Sequence, residues 1–182
     1  VADTICNGAT YTLQNGTTVN APGSYPVTLT NQYGCDSVVT TNLAVIAVIV
    51  TATPADVLCN GGNTGSIAAA GTGGVSPYNY DLLSSGIILS NNSSGSFTAL
   101  AAGNYTIDVQ DTYGCTATTT AVVNEPAQLI ASDTVKHVRC YGEGNGQIAI
   151  TATGGTPGYS FNLNNQFTNT TGVFSLLQAG DY

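Results

Sequence analysis

Charge is what this 182-residue sequence has least of. Lys136 and Arg139 are its only certain cations, ten carboxylates oppose them, and the formal net charge is −8. A protein that grips nucleic acid needs many Lys and Arg contacts to phosphate, and one that rests on an anionic membrane needs a basic cluster. Neither partner fits. Tryptophan and methionine are absent, and there is one histidine, His137. Without Trp, a sugar-binding platform would have to be built from Tyr and Phe. With one His, sparse carboxylates and no Ser–His–Asp spacing, the convergent tuned groups of an active site are missing. Long apolar runs are missing too. The longest, Leu43 to Val50, has eight residues, where a membrane-spanning helix needs ~20. The sequence opens with neither Met nor a signal peptide, so it is expected to be a processed product or an excised piece.

Hydrophobic residues make up 42% and charged residues 7%. The chain can therefore build cores, but its hydration must come from Thr, Ser, Asn and Gly. Nearly every segment alternates with period two, and none sustains a 3.6-residue period. In "YTIDV", Tyr105, Ile107 and Val109 face one way and Thr106 and Asp108 the other. In "YPVTL", Tyr25, Val27 and Leu29 do the same, and Pro26 points outward as on an edge strand. Asn31 to Gly34 and Asp111 to Gly114 read as type I turns closing hairpins. Short strands with such turns every 8–12 residues predict an all-β chain of small Ig-like β-sandwiches with essentially no helix.

The chain repeats itself. "CNGGNTGSI" (Cys59 to Ile67) matches "CYGEGNGQI" (Cys140 to Ile148) at an offset of 81, and "GSFTALAAGNY" (Gly95 to Tyr105) matches "GVFSLLQAGDY" (Gly172 to Tyr182) at an offset of 77. The change of offset places a four-residue deletion between Leu163 and Gly172, as at a hairpin tip. "GSYPVTLTNQYGC" (Gly23 to Cys35) matches "GNYTIDVQDTYGC" (Gly103 to Cys115). Three modules follow: 1–46, 47–126 and 127–182, the last lacking its final hairpin.

Five cysteines in such a chain suggest an oxidising compartment. Four of them, Cys6, Cys35, Cys59 and Cys115, allow three connectivities. The repeat favours pairing within modules, Cys6 with Cys35 and Cys59 with Cys115. The second of these bridges would stabilise by roughly 4 kcal/mol in the chain-entropy model. Cys140 is left without a partner in the chain. By the offset of 77, its counterpart is expected at position 192, so the parent chain is expected to continue past Tyr182. The alternative is a neighbouring chain that supplies the missing strands and a thiol.

The set "CNGGNTGSI…GTGGVSPYNYDL…FTALAAGNYTIDVQDTYGC" resembles the SprB repeat, abundant in giant surface proteins of Bacteroidetes that include the mobile adhesin of gliding bacteria. The resemblance covers residues 47–126 fully and 127–182 partly. Residues 1–46, through "GCDSVVTTNLAV", are similar to a shorter repeat of the same surface proteins. It implies export by type IX secretion, a cell-surface location and an adhesive or filament-forming role, and it carries over no catalytic residues. The source it implies makes "DTI" (Thr4), "DSV" (Ser37) and "DTV" (Thr134) candidate O-glycosylation sites.

Other candidate sites are slight. Asp108 and Asp111 are the carboxylates that could serve Ca²⁺, but calcium wants six to eight oxygens. The turn accounts for Asp111, and a solvent-facing position accounts for Asp108. No cofactor is expected. "VKHVRC" (Val135 to Cys140) could dock an acidic neighbouring module, or be a strand with outward polar residues. "CNGGNTG" lacks the Lys and helix of a phosphate loop. The expected function is a non-enzymatic, extracellular repeat segment of a surface adhesin or filament. Its expected partners are neighbouring modules, identical subunits in a fibre, or surface glycans. The alternatives are a carbohydrate-binding module of a secreted polysaccharide-degrading enzyme and a fibre subunit assembled by strand complementation.

Overall fold

Period-two alternation dictates strands, and the structure, a computed structural model describing residues 1–182, has no other regular element. The first module holds β1 (Ala2–Cys6), β2 (Tyr11–Thr12), β3 (Thr18–Val19), β4 (Gly23–Thr30) and β5 (Asp36–Ile46). β4 and β5 form an antiparallel hairpin, and Pro26 lies on β4 at the edge of that sheet. On the other side β1 runs parallel to the end of β5, with Ala2 opposite Asn42 and Cys6 opposite Ile46.

The second module holds β6 (Val48–Ala55), β7 (Gly65–Gly73), β8 (Asn79–Ser84), β9 (Ile87–Asn92), β10 (Ser96–Leu100), β11 (Gly103–Gln110) and β12 (Thr116–Val123). They form two sheets, β10-β7-β6 and β12-β11-β8-β9. Val48, Val50, Ile67 and Ala69 are buried on the first sheet, and Tyr80, Leu82, Tyr105, Ile107, Val109 and Val123 on the second. β6 packs against β11 and β12. This is a β-sandwich whose core is the alternate residues of each strand.

The third module holds β13 (Ile130–Lys136), β14 (Gly146–Thr153), β15 (Phe161–Leu163), β16 (Phe167–Asn169) and β17 (Val173–Leu177). The sheet β13-β14-β17 repeats β6-β7-β10. The β15–β16 hairpin repeats β8–β9 with three-residue strands in place of six, which is where the four-residue deletion falls. This second sheet has two strands where its counterpart has four. Leu129 is accordingly 58% exposed, whereas Val48, its repeat equivalent, is 8% exposed. Contacts gather the chain into two compact units. The first is Val1–Ala55, Ser66–Thr98 and Gly103–Val123, and the second is Asp56–Gly65, Ala99–Ala102 and Asn124–Tyr182.

The disulfide differs from the expected pairing within modules. Cys6 is bonded to Cys115, 109 residues away, while Cys35, Cys59 and Cys140 are exposed thiols. The reason is strand length. Cys35 immediately precedes β5, whereas Cys6 lies opposite Ile46 at the other end of that strand. The eleven residues of β5 rise by roughly 33 Å, and a disulfide needs Cα atoms within about 7 Å. Cys115, bonded to Cys6, is no longer open to Cys59.

One buried group in the first module is unsatisfied. Thr41 is fully buried on β5 and its Oγ1 has no hydrogen-bond partner. Burying an unpaired hydroxyl costs about 1–3 kcal/mol. Thr41→Val removes the hydroxyl and keeps the β-branched shape, so it is expected to raise unfolding stability by about 1 kcal/mol. Urea denaturation of the two proteins checks this, and a loss of stability would show that the hydroxyl has a partner in solution.

Candidate functional site

The distinctive local chemistry of this chain lies in two turns, each of which recurs. The first is Cys-x-Gly-x. At Cys6, Cys59 and Cys140 the carbonyl of the cysteine accepts the N–H three residues on, from Ala9, Gly62 and Glu143. The intervening Gly8, Gly61 and Gly142 have φ between +73° and +85°. Only glycine enters that region without strain, so the Gly two residues after each Cys is a requirement of the turn.

The second turn is Asx-x-Tyr-Gly-Cys, at Asn31 to Cys35 and Asp111 to Cys115. In both, the Gly N–H donates to the carbonyl of the Asx, and the Asx N–H donates to the carbonyl of the Cys. Asn31 Oδ1 accepts the N–H groups of Tyr33 and Cys35 at 2.9 and 3.0 Å. Asp111 Oδ1 accepts those of Tyr113 and Cys115, both at 2.9 Å. The two cysteines therefore leave the same scaffold in the same way.

What differs is the second oxygen. Asp111 Oδ2 accepts the N–H of Val75 at 2.9 Å, and Thr112 donates back to Val75 O through both its N–H and its Oγ1. The turn is thereby docked on the loop after β7. That loop is shaped by Gly73 (φ +70°) and Gly74 (φ +58°). A Cβ on Gly74 would stand 2.5 Å from Asp111 Oδ2 and 2.6 Å from a Val48 methyl. The Tyr78 hydroxyl donates to Gly73 O, and the Tyr80 hydroxyl accepts the Gly71 N–H. This is what the Gly-Gly-x-x-Pro-Tyr phrase builds: a glycine cradle for the Asp turn, pinned by two tyrosines. The first module has no such phrase, and its turn carries Asn.

Docking places Cys115 beside the entry of the second module at Val48. Cys6 stands at the exit of the first, where Asn7 donates its N–H to Ile46 O. The bond between them lies within the first compact unit, where it ties the end of β1 to the Asp111 turn, with Cys115 buried at 3% exposure.

Burial raises the pKa of the Asp111 carboxyl, but the N–H groups of Val75, Cys115, Tyr113 and Gly114 lower it by more, leaving it below the ordinary value. A depressed folded-state pKa contributes stability that is complete above the unfolded-state value of about 4 and is lost as pH falls through the folded-state value. Asp111→Asn keeps the Oδ1 contacts, as Asn31 shows, but turns an NH₂ toward the Val75 N–H. The variant is expected to melt below the parent at pH 7, with the gap closing as pH drops below about 4. Thermal melts from pH 7 to 2 check this, and a gap that stays constant would contradict it.

The remaining candidate residues are dispersed. Asp108 accepts a hydrogen bond from Thr118 Oγ1 at 2.7 Å on the outer face of the four-stranded sheet. Asp111 is held in its turn, so the two carboxylates serve separate structures. No three His, Cys, Asp or Glu side chains converge as a metal centre needs. Lys136 ends β13, and His137 and Arg139 follow it, all exposed. Ser37 and Thr134 are exposed on β5 and β13, and Thr4 on β1 is half-buried. Sequence reasoning missed one surface. Asp81 lies directly opposite Asp108, and Asn79 opposite Gln110, so these side chains share one polar sheet face with Thr116 and Thr118. Counting i, i+2 positions on β8 and β11 would have found it.

No curated protein matches the chain. Among solved structures it is similar to the N-terminal eight Ig domains of Down Syndrome Cell Adhesion Molecule, with 16% identity and a TM-score of 0.45. The match covers 81% of this chain and 22% of that one, so the chain spans about a fifth of that structure's length. The SprB repeat family matches at residues 51–86 and again at 132–167. These stretches run from β6 into the β8–β9 hairpin and from β13 to β16, and so include the Cys-x-Gly turn and the glycine cradle both times. The chain carries two SprB repeats.

Proposed function

We propose that the chain is a non-catalytic, extracellular repeat segment of a surface adhesin or filament, in which disulfide-stapled β modules act as spacers and repetition multiplies weak contacts. The observation that carries this reading is the Cys6–Cys115 bond. It fixes one module to the next, which serves a chain that must transmit force or hold repeated surfaces in register. Where each unit contributes a weak contact, linking units raises avidity by roughly 10²–10⁴ without any new contact. Neighbouring modules, identical subunits and surface glycans are the partners this reading offers. Export to the cell surface supplies the oxidising conditions the staple needs. Thr4, Ser37 and Thr134 are proposed as O-glycan sites, and Ser37 and Thr134 are the more accessible.

The test compares beads carrying one copy with beads carrying four tandem copies, washed under flow over polysaccharide-coated glass. Retention is expected to rise by at least about tenfold with copy number. No retention at any copy number would contradict the adhesive role. A second reading, a carbohydrate-binding module, draws on the polar face of Asn79, Asp81, Asp108 and Gln110. One defined sugar bound tightly by a single copy would favour it.

A further inference from the structure

The Asx-x-Tyr-Gly-Cys turn uses only the backbone N–H of its tyrosine, which donates to the side chain of Asn31 in one turn and of Asp111 in the other. The aromatic ring takes no part in the turn, and neither ring joins a core: Tyr33 is 82% exposed and Tyr113 60%. Tyr113 stands beside an open groove of about 480 Å³ whose other walls are β1 and β5, at Ala2, Asp3, Thr4, Asn42 and Ala44. All of these residues lie in the first compact unit.

Strand register says which side chains share the groove. β5 alternates here, with Thr41 and Leu43 buried and Asn42 and Ala44 exposed. In the parallel pairing Ala2 lies opposite Asn42 and Thr4 opposite Ala44, and paired residues point to the same side of a sheet. The outer face therefore carries Ala2, Thr4, Asn42 and Ala44 together. The two alanines form a low apolar floor. A group resting on it meets the Asn42 amide, which both donates and accepts, and the Thr4 hydroxyl, which does the same. At the rim, Asp3 Oδ1 accepts the Thr4 N–H at 2.8 Å and sets a negative charge beside the groove.

An aromatic ring beside such a floor suits a ligand with one apolar face and a fringe of hydroxyls, which is a pyranose. Its C–H face lies on the ring, and its hydroxyls meet the amide and the threonine. The groove is of a size with small-ligand clefts, which run to about 300–1,000 Å³. Both certain cations, Lys136 and Arg139, belong to the second compact unit, and Asp3 repels a carboxylate or sulfate. The sugar is therefore a neutral one. We infer that the groove between Tyr113 and the outer face of β1 and β5 binds a neutral sugar unit of a polysaccharide. Tyr113 stacks on the sugar ring, and Asn42 and Thr4 hydrogen-bond to its hydroxyls. This gives the glycan partner of the adhesive reading a site and a chemical class, and it rests on that reading. The groove is open, so one site holds weakly, and weak contacts are the kind that repetition multiplies. The polar face of Asn79, Asp81, Asp108 and Gln110 is lined by no aromatic ring and takes no part.

The test titrates the isotope-labelled 182-residue chain with cellohexaose, xylohexaose and mannohexaose, with trigalacturonic acid as the acidic comparison, and follows the backbone amides by NMR. At least one neutral oligosaccharide is expected to give saturable shifts gathered on Ala2 to Thr4, Asn42 to Ala44 and Tyr113, and the acid none. Tyr113→Ala and Asn42→Ala are each expected to weaken binding by at least about tenfold. Tyr113→Phe keeps the ring and should weaken it by less than about threefold. Tyr33→Ala, on the equivalent turn, should leave it unchanged. Asn42→Ala is an exposed substitution that leaves the fold intact, so it decides the matter even where Tyr113→Ala loosens the turn. No saturable shift with any of the three neutral sugars, shifts gathered elsewhere, tighter binding of the acid, or binding unchanged in Asn42→Ala and Tyr113→Ala would overturn the inference. Beads carrying the parent chain, washed over glass coated with the matching polysaccharides, separate its failure from that of the adhesive reading. Retention with nothing bound in the groove overturns the inference and leaves adhesion standing. Shifts on the groove without retention uphold the groove and contradict adhesion.

Discussion

Replacing Cys115 by Ser is expected to destabilise the first compact unit by about 3–5 kcal/mol, because the bond it removes closes a loop of roughly a hundred residues. The observed span is 109 residues, well beyond what either expected bridge within a module would close. The matching fall in melting temperature is roughly 13–22 °C for a unit of this size. Cys6→Ser should cost the same, since both changes remove one bond. Cys35→Ser should be nearly neutral, within about 0.5 kcal/mol, as an exposed substitution that breaks nothing. Guanidinium denaturation of the oxidised proteins, read by tyrosine fluorescence, gives all three numbers. A large loss on replacing Cys35 would restore the pairing within modules.

Ile107→Ala is expected to cost about 2–5 kcal/mol, the range for deleting a fully buried branched side chain and leaving a cavity. Ile107 is 0% exposed at the middle of β11, flanked by β8 and β12 in its own sheet. Its β11 neighbours two residues away, Tyr105 and Val109, are buried with it, and β6 packs on this face. Val122, one residue off the core register on β12, is 48% exposed beside Val123 at 1%. Val122→Ala should therefore cost about 0.5 kcal/mol. Equal costs at Ile107 and Val122 in urea melts would mean that the period-two assignment of faces is wrong.

Much of the fold was legible because period two reports which face a residue occupies. Tyr105, Ile107 and Val109 are buried, and Pro26 sits on an edge strand, as the alternation required. The Asx and Gly residues closed their hairpins because their side chains leave few other conformations favourable. Cysteine connectivity was not legible, because alternation says nothing about which end of a strand a residue reaches. Cys6 and Cys35 belong to one module yet flank opposite ends of β5, and β1 pairs with β5 in parallel with no local turn to announce it. The docking role of Asp111 left a signal that was passed over. The repeat changes Asn31 to Asp111 in the module that carries the Gly-Gly-x-x-Pro-Tyr phrase, and the extra oxygen is the one that takes the Val75 N–H.

The central claim is that modules of this chain are stapled to one another rather than closed upon themselves, and non-reducing peptide mapping of the freshly oxidised chain tests it most directly. Cleavage on either side of each cysteine should yield one linked pair, containing Cys6 and Cys115, with Cys35, Cys59 and Cys140 recovered as alkylated thiols. A linked pair of Cys6 with Cys35, or of Cys59 with Cys115, would contradict the account.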